Sequence, residues 1–429
     1  MQSYLFEIEK KKSFFNLENY ENSEITPICF RDLAPEITDT SYLTHSIYYY
    51  PAKFIPHVVK YCISNFSKEG DYVVDPFSGS GTVGLEAFLN KRNAYLMDLN
   101  LLLNHIIPVK IPKISKELNY NILNKKIKYI IEENNVFIPN WSNYEYWYPK
   151  EFLEKLTRYW GNLKTLEEDI YYRIIESVLV KLSKHYSYAE HKTPKLFKSK
   201  SKLKYVEELL LKDWKRKFDD SLISNSNNTL KDINSLFAYT KDFNNHVIFH
   251  GGIDSSSHKI EDIEELDTLI SSPPYLQAQE YIRTTKLDLY WMGYNDSDIK
   301  RLSSLEIPYR KPNKIFETET LNKVKAKLER QDLIKMLDSY FCYIIQAFEN
   351  TMNHLKRNSR ACIFIGNPKI DGIELEIWRV LKEYFEEKDF VFEKVYEDKI
   401  KTRQLFGMRK NKNPDGMKSE YLLVLKKSK

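Results

Sequence analysis

Ten residues, Asp75-Pro76-Phe77-Ser78-Gly79-Ser80-Gly81-Thr82-Val83-Gly84, constrain this chain more than any other stretch. They follow Tyr72-Val73-Val74, a short β-type run entered from Gly70-Asp71, and precede a helical stretch, Leu85 to Leu89. Strand, glycine-rich turn and helix, in that order, form a unit of an α/β sheet that binds a nucleotide-like ligand. Small residues let the backbone approach a ligand closely, and the start of the helix offers free N–H groups. Gly79, Gly81 and Gly84 satisfy G-x-G-x-x-G. Nineteen positions after Gly79, a second strand, Ala94-Tyr95-Leu96-Met97, ends in Asp98. An acid at about that distance grips a ribose hydroxyl, so the pattern predicts an adenosine-bearing cofactor. No Lys precedes Thr82, which excludes a phosphate-cradling P-loop. A nicotinamide enzyme stays open. Against it, Asp75 lies inside the turn, where its charge opposes a pyrophosphate but suits an ammonium and a sulfonium. S-adenosyl-L-methionine carries both.

A second strand end lies near the middle of the chain. The run Leu266 to Ile270, interrupted by Asp267 and Thr268, leads into Ser271-Ser272-Pro273-Pro274-Tyr275. Two prolines stop the strand and leave no N–H to continue a ladder. The result is a stiff turn presenting a hydroxyl, carbonyls and an aromatic face, where open α/β sheets place their chemistry.

DPFSGSGT at 75–82 together with SSPPY at 271–275 resembles the amino-methyltransferases of DNA, which methylate exocyclic amines of cytosine or adenine. The resemblance implies an α/β fold: a Rossmann-like S-adenosylmethionine-dependent methyltransferase sheet with an inserted helical subdomain. It implies that Tyr50, Lys53 and Phe54, in YYYPAKF at 48–54, help close the methionine end of the cofactor site. Asp75, Phe77, Gly79, Gly81 and Thr82 line that site, and Asp98 binds the ribose. HGGIDSSS at 250–257 falls where the family has a Gly-Asp pair near the adenine ring. Here Ile253 separates Gly252 from Asp254, and Asp254 is the residue assigned.

The chemistry follows from the amine. Its lone pair is delocalised into the ring, and transfer from a sulfonium needs that pair localised and aimed in line. Two acceptors on the two N–H groups favour a tetrahedral nitrogen, and the turn offers the Ser272 hydroxyl and the Pro273 carbonyl. Pro274 stiffens the turn, and Tyr275 can stack on the base. Duplex DNA hides the amine, so the base must flip out at a cost of a few kcal/mol. Stacking returns roughly 1–3 kcal/mol of that. Ser at position 272 implies cytosine N4 by resemblance. Asp or Asn there usually accompanies adenine N6, which stays the alternative. A C5-cytosine enzyme needs an active Cys, commonly after Pro, and no Cys here follows Pro. No metal is required.

The remaining organisation follows from the resemblance together with composition. Residues 1–40 carry no assigned role; 41–105 and 246–429 form the catalytic domain; 106–245 form an inserted helical, basic subdomain. Within the insert, 119–133 and 150–182 read as helical, and SNSNN at 224–228 as a loop. WSNYEYWY at 141–148 reads as core. Net charge is +5 for the chain, yet 181–217 alone holds twelve Lys or Arg against four acids. Beside a base-modifying site, a phosphate-contacting surface is expected there, with Lys192, Lys195, Lys198 and Lys200 as candidates. The loop 399–418 is a second basic segment and adds Arg403 and Arg409. Double-stranded DNA is the expected partner. A cognate restriction endonuclease in the same system, without a stable complex, is the family's common setting. Four cysteines, none in a CxxC pair, read as reduced core thiols. No signal-peptide h-region and no membrane-length apolar run is seen, so a cytoplasmic protein without membrane contact is expected.

In the last third, Val247–Phe249, Ala361–Ile365, Phe390–Tyr396 and Tyr421–Leu425 read as strands, the last two as an antiparallel closing pair. Residues 276–294 read as a loop leading into a helix, 331–356 as a long helix, and 295–330 as a polar stretch that could supply a recognition loop.

Overall fold

β-branched and apolar residues at the expected positions form the strands. A computed structural model describes residues 24–48, 50, 53–190, 196–276, 280–307, 310–400 and 417–429. In chain order the strands are β1 (Ile25–Ile28), β2 (Tyr72–Asp75), β3 (Asn93–Asp98), β4 (Val247–Gly251), β5 (Leu266–Ser271) and β6 (Leu355–Gly366). A small hairpin, β7 (Lys369–Ile370) and β8 (Ile373–Glu374), comes next, followed by β9 (Phe390–Lys399) and β10 (Ser419–Lys427). Eight of them make one sheet in the order β1-β9-β10-β6-β5-β2-β3-β4. All neighbours run parallel except β10, which is antiparallel to both β6 and β9. The expected closing pair is therefore present, and the fold is the Rossmann-like α/β sheet anticipated from the motifs. Ile25–Ile28 extends that sheet at its edge, so part of the segment without an assigned role is structural.

Period-2 alternation sends each strand's side chains to opposite faces. Val73, Leu96, Ile270, Cys362 and Val424 enter one core. Val74, Met97, Leu269, Ile363 and Leu423 enter the other. The second face is covered by the helices Gln331–Met352 and Ile377–Glu386. The first is covered by Pro56–Phe66, whose buried Val58, Val59, Cys62 and Ile63 follow the predicted stripe, and by Leu103–Lys110.

The insert between β3 and β4 carries helices Tyr120–Glu132, Lys150–Lys164, Ile170–His185, Lys200–Leu210 and Trp214–Thr240. Its apolar residues join the first core without a break. Trp160 of the insert stacks at 5.9 Å on Trp291 of the Tyr281–Met292 helix that follows β5, and the Trp291 indole donates to Tyr148 Oη at 2.7 Å. Trp141, Trp147 and Tyr148 are buried as expected, whereas Tyr146 is exposed.

Four expectations change in detail. SNSNN at 224–228 is not a loop but lies inside the Trp214–Thr240 helix. There Leu222, Ser226, Thr229, Leu230, Ile233 and Leu236 keep a buried stripe at helical spacing, so packing overrides the weak helix preference of Ser and Asn. The helical reading of 150–182 divides into two helices, the second begun by Asp169 accepting from the Tyr172 N–H. The 331–356 helix ends at Met352, and Leu355 already belongs to β6. The 295–330 stretch holds two helices, Asp296–Leu305 and Glu319–Ala326.

Candidate active site

β2 and β5 lie side by side at the centre of the sheet, and the chain leaves them toward opposite edges. That reversal opens a crevice beyond their carboxyl ends. The two predicted turns begin there, and one hydrogen bond joins them. Ser271 Oγ donates to Asp75 Oδ1 at 2.6 Å, and the Phe77 N–H reaches the same oxygen at 3.0 Å. Asp75 is 2% exposed. Burial pushes its carboxyl up to about 7.

The crevice encloses about 1130 Å³ of empty space, part of it open to solvent. Of the predicted cofactor residues, Tyr50, Lys53, Phe54 and Phe77 line it, as do Gly79, Thr82, Asp98 and Asp254. Asp75 and Gly81 are buried and are not among the residues that line it. Gly81 adopts φ 73° immediately before the Thr82–Leu89 helix, a conformation that L side chains adopt rarely. Of the predicted catalytic turn, Ser272, Pro274 and Tyr275 face the crevice; Pro273 is not among the residues lining it.

Asp98 is organised by the backbone. Its Oδ2 accepts from the Gly79 N–H and its Oδ1 from the Asn100 N–H, each at 2.8 Å. Burial still holds its carboxyl up at about 6. Tyr50 stacks on Tyr281 at 5.8 Å, and its hydroxyl accepts from Asn100. Lys53 donates to the carbonyls of Thr40 and His45, and burial lowers its ammonium to about 8. Lys110 reaches the donor turn from beneath, giving its ammonium to the Ser80 carbonyl at 2.7 Å. The hydroxyls of Ser78, Ser80 and Thr82 are buried beside the crevice without a hydrogen-bond partner. Buried polar groups in native folds are usually satisfied, so three unpartnered hydroxyls next to a cation indicate a polar ligand.

Asp254 lies on the wall of the crevice, as its motif position suggests. Asp254 is paired with Arg310 at 2.8 Å and also accepts from Ser256. The Arg310 guanidinium packs 3.5 Å from the centre of the Tyr343 ring. Arg310, Tyr343, Tyr281, Tyr340 and Glu306 line the crevice without having been singled out from the sequence. Their stretches read as ordinary polar loop or apolar helix, and no local motif marks them. Glu306 accepts from the Ile282 N–H, and burial raises it to about 7.

The basic residues are only partly described. Lys192, Lys195, Arg403 and Arg409 lie outside the described residues. Lys200 is exposed at the start of its helix. Lys198 sits 3.4 Å from the Tyr146 ring centre and 4.5 Å from that of Tyr188, on the outside of the insert. Lys202, in the same run, is turned inward and donates to the His185 carbonyl. Arg283 pairs with Glu280, and Lys286 lies over Trp141. Among the described residues no helix is long and apolar enough to cross a membrane.

The geometry is matched by sequence comparison. The family model for N6/N4 DNA methylases matches residues 10–107. The type II methyltransferase M.MvaI of Kocuria varians is 22% identical over 289 residues, covering 63% of this chain and 62% of the relative. M.BsoBI of Geobacillus stearothermophilus is 25% identical over 292 residues, covering 63% and 57%. M.MjaII of Methanocaldococcus jannaschii is 27% identical over 152 residues, covering 33% and 27%. The chain thus spans less than two thirds of the length of these relatives. With the Asp75–Gly84 turn and the Ser-Pro-Pro-Tyr turn meeting at one crevice, the chain is similar to the N6/N4 amino-methyltransferases of DNA.

Proposed function

We propose that this protein transfers a methyl group from S-adenosyl-L-methionine to the exocyclic N4 amine of cytosine in duplex DNA. The observation that carries the reading is the shared crevice, lined by the unpartnered hydroxyls of Ser78, Ser80 and Thr82 on one side and by Ser272 and Tyr275 on the other. S-adenosylmethionine, when bound, supplies an electrophilic methyl on a sulfonium. Ser78, Ser80, Thr82 and Lys53 would hold its amino-acid end, and Asp98 its ribose hydroxyls. The Ser272 hydroxyl, which faces the crevice, accepts from an amine N–H group and so helps to localise the nitrogen lone pair, while Pro273 stiffens the turn that carries it. Tyr275 supplies the wall against which the flipped base rests. Lys198, Lys200 and the basic loop at 399–418 would contact phosphates without reading sequence. Residues 106–245 serve target recognition in this reading, and the natural setting is the modification half of a restriction–modification system.

Adenine N6 is the second reading, because one serine does not by itself set the shape of a base pocket. Incubation of unmethylated DNA with labelled cofactor, followed by nucleoside mass spectrometry, separates the two. N4-methylcytosine is expected. N6-methyladenine would move the target, and no label in DNA would overturn the assignment. Ser272→Ala is expected to abolish transfer while leaving cofactor affinity unchanged.

A further inference from the structure

The aromatic residue of the transfer turn is held from behind by a carboxylate that no motif marks. The Tyr275 phenol donates to Oε1 of Glu420. Glu420 lies on β10, opposite Gly366 of β6 and Asp398 of β9. The four residues Leu422–Leu425 farther along the strand are apolar and fully buried or nearly so. Glu420 itself is partly buried at the head of that apolar run, where a carboxyl is costly unless it has a partner. Burial raises the pKa of Glu420, and the phenol hydrogen bond opposes that rise. The Ser272 side chain interacts with the same phenol. The next peptide back is fixed as well: Tyr340 of the Gln331–Met352 helix donates to the Pro274 carbonyl at 2.9 Å.

We propose that Glu420 is a positioning residue for methyl transfer, fixing where the far end of the Tyr275 ring sits and so the place at which the ring meets the base. This rests on the proposed transfer to a flipped base. A tyrosine side chain can swing among staggered positions of its first torsion, and a hydrogen bond at the phenol oxygen, which lies on the ring's own axis, holds that axis in one direction. Transfer requires the amine in line with the methyl, and misplacement by an ångström lowers rates by about a hundredfold. A strand in the middle of the sheet is a stiff support for that contact, because β10 is hydrogen-bonded on both sides.

The test compares Glu420→Leu, Glu420→Gln, Tyr275→Phe and the double variant Tyr275→Phe/Glu420→Leu. Single-turnover methyl transfer and cofactor dissociation constants are measured for each. Glu420→Leu is expected to slow transfer about 10–100-fold while leaving cofactor affinity within about twofold. Glu420→Gln keeps an acceptor for the phenol and is expected to restore most of the rate. Tyr275→Phe should lose about as much as Glu420→Leu, and the double variant no more than either, since both break one contact. Wild-type rates in Tyr275→Phe, or additive losses in the double variant, would overturn the inference. Wild-type protein that transfers no methyl group to DNA would instead overturn the proposed function.

Discussion

Asp75 offers the most quantitative test. Burial lifts its carboxyl from an ordinary 3.8 to about 7. At about 1.4 kcal/mol per pH unit, keeping it ionised in the folded chain costs on the order of 4 kcal/mol. The folded state holds this proton more tightly than the unfolded state does. The stability it brings is therefore complete below 3.8 and is lost as the pH rises to about 7. Roughly 3 kcal/mol of that loss falls between pH 5 and pH 8. Asp75→Asn imitates the protonated form, because Ser271 Oγ and the Phe77 N–H both donate to Oδ1, which the amide retains. Urea unfolding of both proteins without cofactor, at pH 5 and at pH 8, measures the effect. The stability difference should shift in favour of the variant by about 3 kcal/mol between the two pH values. Other groups that titrate in this range, such as Glu86 and Glu306 at about 7, are common to both proteins and largely cancel. An unchanged difference would refute the account of Asp75 as a carboxyl whose proton is held by burial.

Gly84→Ala would place a Cβ 2.4 Å from Leu96 Cδ1 and 3.1 Å from Ile111 Cδ1. Overpacking should lower stability by about 1–3 kcal/mol, read from the urea midpoint. Lys110→Met leaves the Ser80 carbonyl without its ammonium donor; the cofactor dissociation constant should rise about tenfold in calorimetry, with secondary structure unchanged. Lys200→Ala should weaken binding to all duplexes alike and reduce the salt slope by about one. Lys202→Ala should instead lower the melting temperature, because its ammonium is buried against the His185 carbonyl.

The sheet was legible because its strands are short, apolar and stopped by recognisable turns. Asp75 and Ser271 could each be located by motif, but their hydrogen bond joins residues 196 apart in sequence, which no local pattern encodes. Glu420, Tyr340 and Arg310 carry no local signal for the same reason: their contacts with Tyr275, the Pro274 carbonyl and Asp254 all join segments distant in sequence. Lys202 shows the converse failure. A run of lysines reads as one surface, yet helical geometry turns one member inward. The loop expected at 224–228 failed because local preference is weak against a buried stripe supplied by distant partners.

The stacked Trp160 and Trp291 rings determine how far the protein can be treated as interchangeable parts. An insert with its own core could be exchanged for another of different specificity. Here the insert shares its apolar core with the sheet, and both rings are fully buried or nearly so. Excision of residues 112–240 would strip the cover from Trp291 and expose a continuous apolar surface. The shortened chain is expected to aggregate rather than bind cofactor, a result that sedimentation would reveal. If the insert reads the target as proposed, changes of specificity should arise at the outer, solvent-facing positions of these helices, with the shared interior kept intact.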